Sequence, residues 1–188
     1  ITFMNNSIYN FPLPENETIR EYLKGSADRE KLDSELKRQS ETIVEIPLII
    51  GGKEIFTGNT GKVVMPHNKN KTLAIYPKAG ENVLKMAMEA ANSALKVWSD
   101  LNCRIRASIL LKVAELITTK YRAVINASTM LGQSKNIYQA EIDAVCEAAD
   151  FLRFNVAFAS DIYKSQPVSS FNQLNRMEYR ALEGFVFT

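Results

Sequence analysis

Cysteine and histidine are scarce in this 188-residue chain, which holds only Cys103, Cys146 and His67. There is no CxxC pair and no HExxH, and no ligand set can be assembled from the neighbours of these three, so no metal centre is expected. Two cysteines fit a reducing compartment better than a disulfide scaffold. No apolar run approaches the roughly 18–20 residues that cross a bilayer. The opening ITFMNNSIYNF lacks the basic start and apolar core of a secretory signal. Because the chain begins on Ile1, an upstream piece and a cleaved organelle presequence stay open. Charge of one sign is also missing: 23 Lys and Arg stand against 21 Asp and Glu, a net +2. With no basic cluster and no basic–aromatic interleaving, neither nucleic acid nor a membrane is expected as a partner.

The composition is that of an ordinary globular domain, 46% hydrophobic and 23% charged, long enough for one real core. Residues 1–13 read as an irregular arm around Pro12 and Pro14. Residues 15–45 are charge-dense with sparse apolar positions. Gly25-Ser26 breaks them, and Ser26 is placed to cap a helix near 27–41. Such a helix is either solvated and packed by a narrow stripe, or part of a partner-binding arm. IPLIIGGKEIFTG (46–58) carries two β-branched runs around Gly51-Gly52, the signature of a two-residue hairpin. A second pair, 62–66 and 71–77, is joined by a polar turn containing His67. That histidine has no Cys, Asp or Ser near it in sequence and reads as a surface turn residue.

Gly80-Glu81 opens a helical run in which Val83, Met86, Ala87, Ala90, Ala91, Ala94, Val97 and Trp98 share one face. Asn102 is placed to cap a helix of about 104–127, with Ile105, Ile109, Val113, Leu116, Ile117 and Val124 as its buried side. Cys103 stands at that helix start, where the positive dipole end lowers a thiol pKa, but no base or oxyanion site accompanies it. Gly132 is the expected stop. Cys146 falls within an apolar helical face and reads as core. SQPVSSFNQLN (165–175) is a loop, and Gly184-Phe185-Val186-Phe187 reads as a strand entering a core. A fold rarely ends on its most buried-looking segment, so the chain reads as a fragment.

The stretch with most to say is 131–155. A helix from about Ile137 to 163 would bury Ile142, Val145, Ala149, Leu152 and Val156 at three- and four-residue spacing. Its other face carries Asp143, Glu147 and Asp150, then Phe151, Phe154 and Phe158. Glu147 has like charges at i−4 and i+3 and no Lys or Arg at i±3 or i±4. Such a carboxylate faces water, finds a distant cation, or binds a ligand cation. Asp150 has Arg153 at i+3 and reads as paired.

The run KTLAIYPKAGENVLKMAMEAANSALKVWSDLNCRIRASILLKVAELI resembles the amino-terminal portion of the NAD(P)-dependent aldehyde dehydrogenase superfamily. The family's "TLAxxPxA"-like strand, "AxxAAxxAxxxW" helix and following Arg pair, here Arg104 and Arg106, are all present. MLGQSKNIYQAEIDAVCEAADFLRFNVAFA, QP and YRALEGF are similar to the glutamate γ-semialdehyde (Δ1-pyrroline-5-carboxylate) branch of that family. The resemblance runs from about Gly25 to Thr188 and covers about the first third of such an enzyme. It implies an α/β, aldehyde-dehydrogenase-like fold, of which this chain would be the first part of the Rossmann-like nucleotide-binding domain. The order would be an arm and charged helix over 1–45, hairpins and helices over 46–164, and the start of an oligomerisation hairpin over 165–188.

The resemblance also implies the chemistry: attack on an aldehyde by a Cys thiolate, hydride transfer to NAD⁺, and hydrolysis of the thioester with a Glu base. Nucleophile, base, oxyanion Asn and the NAD-contacting segments would all follow Thr188, so no catalytic residue and no cofactor-binding residue is expected here. Glu147 alone matches a family position, the helix Glu lining the substrate entrance. There it would complement the α-ammonium group of a small-molecule substrate, with a pKa raised by partial burial and like charges. The implied reaction is glutamate γ-semialdehyde to glutamate in proline catabolism. The 165–188 segment would pair with a second subunit in a homodimer or higher homo-oligomer, although from its residues an internal hairpin fits equally. The compartment would be the cytoplasm in a bacterium or the mitochondrial matrix in a eukaryote. Two other readings are an aldehyde dehydrogenase of another substrate class and a non-catalytic interaction domain.

Overall fold

The computed structural model describes residues 10–188, so most of the expected arm over 1–13 lies outside the described residues. Residues 10–26 run without regular structure to Ser26, whose hydroxyl accepts from the Arg29 N–H and caps α1 (Ala27–Glu41). One residue of α1 is buried, Leu32. It forms a small core with Tyr22 and Ala127, against which Leu36, Met130 and Ile137 pack.

Five strands follow: β1 (Val44–Glu45), β2 (Leu48–Ile50), β3 (Lys53–Ile55), β4 (Thr60–Met65) and β5 (Asn68–Pro77). The β2–β3 hairpin forms at the expected place. Its two turn residues, Gly51 and Gly52, have φ of 57° and 76°, the left-handed pair such a turn demands and a Cβ disfavours. β4 and β5 pair antiparallel with register shifts between Val63 and Met65, and β1 joins β5 in parallel. The three-strand order is β1-β5-β4.

The helices are α2 (Glu81–Asp100), α3 (Cys103–Thr118), α4 (Arg122–Gln133), α5 (Ile137–Ala140) and α6 (Glu147–Lys164), with a π-helical turn (Glu141–Cys146) joining the last two. Asn102 caps α3 as expected, accepting from the Arg104 N–H at 2.8 Å. The single helix expected over 104–127 is two. It breaks at Thr119, and Tyr121 opens α4, which turns the Arg122 side chain into the interior. Gly132 lies inside α4; the stop comes at Ser134, in the left-handed conformation with φ 58°.

α3 packs on α6 through small residues, Ala107 and Ala114 on one helix and Ala149, Val156 and Ala157 on the other. Of the expected buried side, Leu116, Ile117 and Val124 are half-buried, but the amino-terminal half of α3 turns its isoleucines outward. Ile105, Ile109 and Val113 are 49%, 45% and 40% exposed, because the close approach is made by alanines on the opposite side. α2 leaves most of its apolar stripe exposed, with Val83, Ala87 and Ala90 half-buried and none of its residues fully buried. The expected strand at 184–188 is not formed, and Phe185, Val186 and Phe187 are exposed. A lone strand has no partner for its backbone groups. The 165–188 segment doubles back instead on the end of α6, with the Tyr179 hydroxyl donating to the Ile162 carbonyl and the Tyr163 and Tyr179 rings edge to face.

Candidate functional site: a carboxylate cleft beside a buried ion-pair hub

The π turn decides which residues of this helix face where. In π geometry one turn takes an extra residue, so Glu141 and Cys146 both point inward, and both are buried. Ile142, expected in the core stripe, is displaced toward the adjoining cleft. Val145, Ala149 and Val156 do take core positions.

Glu141 is fully buried and fully engaged. One carboxylate oxygen accepts from the Arg20 N–H at 2.9 Å. The other accepts from the Tyr22 hydroxyl and from Asn126 Nδ2, each at 2.8 Å. The Arg122 guanidinium, 3% exposed, closes on it as an ion pair. Arg122 also donates to Glu17 at 2.7 Å and to the Thr18 carbonyl at 2.8 Å. Glu17 in turn accepts from Arg153 at 2.7 Å.

The electrostatics follow from this wiring. Burial pushes the Glu141 carboxyl up, but hydrogen bonds from Arg122, the Arg20 N–H, Asn126 and Tyr22 more than offset it, and its pKa falls below the ordinary value. Glu17 behaves likewise: burial raises it, and Arg122 and Arg153 carry it below the usual range. The Tyr22 phenol is pushed up to about 12 by burial and by the Glu141 carboxylate it donates to. The Cys146 thiol, buried with Glu141 nearby, is pushed up to about 11. It is an inert core cysteine, as the apolar pattern suggested. Cys103 departs from expectation. Burial raises its thiol despite Arg106 and the helix-start N–H groups, so the dipole effect does not prevail there.

Against this hub lies a cleft of ≈ 790 Å³, with Asn16, Glu17 and Ile19 on one side and Glu147, Phe151, Phe154 and Phe158 on the other. The expected alignment of Glu147 with an aromatic stripe is therefore present. Glu147 is exposed rather than partly buried as expected. No hydrogen bond or ion pair reaches its carboxylate among the described residues. Asp150 is only loosely paired with Arg153, at 3.8 Å. Its close partners are Asn16 Nδ2 at 2.9 Å and the Glu17 N–H at 2.8 Å, which sequence spacing had no means of showing.

His67 sits in its turn as expected, with Nδ1 2.7 Å from the Ser134 hydroxyl. Ser134 is 67 positions away, so the pair was invisible in sequence. No carboxylate among the described residues orients the ring, and the pair docks the β4–β5 turn on the end of α4. No cluster of His, Cys, Asp and Glu suited to a metal occurs among the described residues, and none of their helices is long and apolar enough to cross a membrane.

Residues 56–187 match the model of the aldehyde dehydrogenase family, and the chain belongs to that family. More particularly, it is similar to the probable delta-1-pyrroline-5-carboxylate dehydrogenase of Schizosaccharomyces pombe, 46% identical over 181 residues that make up 95% of this chain and 33% of that protein. The mitochondrial delta-1-pyrroline-5-carboxylate dehydrogenase of Homo sapiens is 38% identical over 91% of this chain and 30% of its own length. The fold is that of the Mycobacterium tuberculosis delta-pyrroline-5-carboxylate dehydrogenase, solved with NAD bound, at TM-score 0.91 and 41% identity over 95% of this chain and 34% of that one. The expected α/β class, with part of a Rossmann-like region, is thereby borne out. The chain spans about a third of the length of the relatives it matches.

Proposed function

We propose that this chain forms the amino-terminal third of an NAD-dependent dehydrogenase that oxidises glutamate γ-semialdehyde to glutamate in proline catabolism. The observation that carries the reading is Glu147, a carboxylate without a hydrogen-bond or ion-pair partner among the described residues in an aromatic-walled cleft, in a chain whose relatives bear the name of that activity. The charges around the cleft favour a cationic ligand end. Glu17, Glu141 and Asp150 supply three carboxylates against the two guanidiniums of Arg122 and Arg153, and Glu147 adds a fourth. An α-ammonium group brought to Glu147 offsets one charge of this excess, while the phenylalanines take the aliphatic stem.

The bond-making groups are assigned to sequence beyond Thr188. So are the contacts to NAD, which accepts the hydride when bound: no glycine-rich cradle for a pyrophosphate occurs among the described strand–helix junctions. This chain contributes to choosing and orienting the substrate. By itself it is expected to form no NADH from glutamate γ-semialdehyde. Residues 165–188 are the segment we assign to a subunit contact in a homodimer or larger homo-oligomer. Their poor internal pairing, a single bridge between Ser170 and Gln173, leaves backbone groups for a partner strand. The mitochondrial names among eukaryotic relatives support a mitochondrial matrix location in a eukaryote, with the cytoplasm for a bacterium.

The test is Glu147→Ala in the full-length enzyme. Loss of a charge-assisted contact predicts a KM for glutamate γ-semialdehyde raised about tenfold or more with kcat nearly unchanged. An unchanged KM removes the assignment, and an equal effect on a simple aliphatic aldehyde points to a dehydrogenase of another substrate class.

A further inference from the structure

The stretch from Asn16 to Tyr22 has no regular structure of its own, yet it is among the most firmly tied in the chain. Its main chain and side chains are bonded at five consecutive or near-consecutive positions. Asn16 and the Glu17 N–H go to Asp150, the Glu17 carboxylate to Arg122 and Arg153, the Thr18 carbonyl to Arg122, the Arg20 N–H and Tyr22 hydroxyl to Glu141. The segment ends in strain, because Tyr22 has φ 53°, a left-handed conformation rare for a bulky side chain. Such a backbone persists only where its surroundings over-determine it. Here the buried Tyr22 hydroxyl, held by Glu141 and Asn126, does so.

This bolted segment is also one side of the Glu147 cleft, to which Asn16, Glu17 and Ile19 all contribute. The hub and the cleft are not merely adjacent. Glu17, Cys146 and Asp150 belong to both, since Cys146 lines the cleft and places its sulfur 3.9 Å from the Glu141 carboxylate. A helix-borne wall carrying Glu147 and Phe151 is rigid by its own backbone bonds. The facing wall has none, and its position depends on the hub.

We propose that the Arg122–Glu141 hub and Asp150 position residues 16–19 as the second wall of the Glu147 cleft and so set selectivity for a substrate with an amino-acid end. This rests on the cleft being the binding place of that end, as proposed above. Arg122, Glu141 and Asp150 are positioning residues in this account: they act through the 16–19 segment and transfer no proton. The π turn serves the same purpose. By adding a residue between Glu141 and Glu147 it aims one carboxylate at the hub while the other faces the cleft.

The experiment compares Asp150→Ala, Asp150→Asn, Glu141→Gln and Glu147→Ala in the full-length enzyme, each assayed with glutamate γ-semialdehyde and with propanal. The accessibility of the segment is followed by the rate of tryptic cleavage at Arg20 and Lys24. Asp150→Ala removes the outer tie and leaves the buried hub in place, so folding is retained if Glu141→Gln proves too disruptive to purify. Its expected result is faster cleavage at Arg20 together with a ratio of kcat/KM values, semialdehyde over propanal, lowered at least about tenfold. Asp150→Asn keeps an acceptor for the Glu17 N–H and should recover part of both. General structural damage would lower both substrates together and leave the ratio intact, which overturns the proposal. Faster cleavage with an unchanged ratio, or no change in either, overturns it as well. If Glu147→Ala itself leaves the semialdehyde KM unchanged, the cleft reading fails. If Glu147→Ala raises it and Asp150→Ala does not, only the role of the 16–19 wall is lost.

Discussion

Around Glu141, residues from the 16–22 segment, α4 and α6 meet with the central ion pair at 3% and 0% side-chain exposure, whereas α2 is a complete twenty-residue helix in which nothing is buried. Both regions are well-formed locally. They differ in where their free energy of ordering comes from. The hub is closed by side chains this chain supplies, and each desolvated charge has a partner here. α2 has a good apolar stripe, capped only by Gly80 and supported by an exposed Lys85–Glu81 pair, and its stripe meets little of this chain. Helical periodicity shows where an apolar face lies and says nothing of whether the same chain covers it.

Disrupting the hub should give the larger effect. Arg122→Ala leaves Glu141 buried without its cation and should cost about 3–5 kcal/mol in denaturant unfolding, where a loss under about 1 kcal/mol would mean the pair is not the lock described. Acid is the gentler probe. Glu17 and Glu141 are both held below the ordinary value of 4.5, so the native state binds fewer protons than the unfolded one. Their contribution is full above about pH 4.5 and is lost as pH falls through the depressed folded values. The unfolding midpoint should therefore drop through that window, and Glu141→Gln should flatten the drop; equal acid limbs in the two proteins would contradict the wiring. The smallest effect belongs to α2. Val97, 68% exposed, should tolerate Val97→Ser within about 0.5 kcal/mol while the chain's tendency to self-associate in light scattering decreases. A destabilisation of several times that size would place α2 with the hub rather than opposite it.

Much of the local structure was legible in the residues. Ser26 and Asn102 cap helices where their side chains predict, and Gly51-Gly52 forms a hairpin because two successive left-handed residues suit almost nothing else. Glu147 stands in line with Phe151, Phe154 and Phe158 because four-residue spacing persists through α6. Where the structure departs from these local patterns, the cause is shared. Hydrophobicity points Ile105, Ile109 and Val113 to the interior, but the α3–α6 contact selects small residues for close approach. The place of Cys103 at a helix start predicts a lowered thiol pKa, but burial outweighs the dipole. The β-branched and aromatic content of 184–188 describes that segment's preference for a strand but not its partner.

Sequence by itself determined the caps, the hairpin turn, the helical stripes and the unneutralised charge at Glu147, all of which depend on residues within about one turn of each other. Tertiary structure decided that Glu141, an unremarkable acid among several, is the buried centre. Its partners Arg20, Tyr22, Arg122 and Asn126 lie 15 to 121 positions away, and a carboxylate can leave water only where the fold gathers such donors around it. The π turn belongs with that second group. It turns Glu141 and Cys146 inward while Glu147, the next residue, lines the cleft.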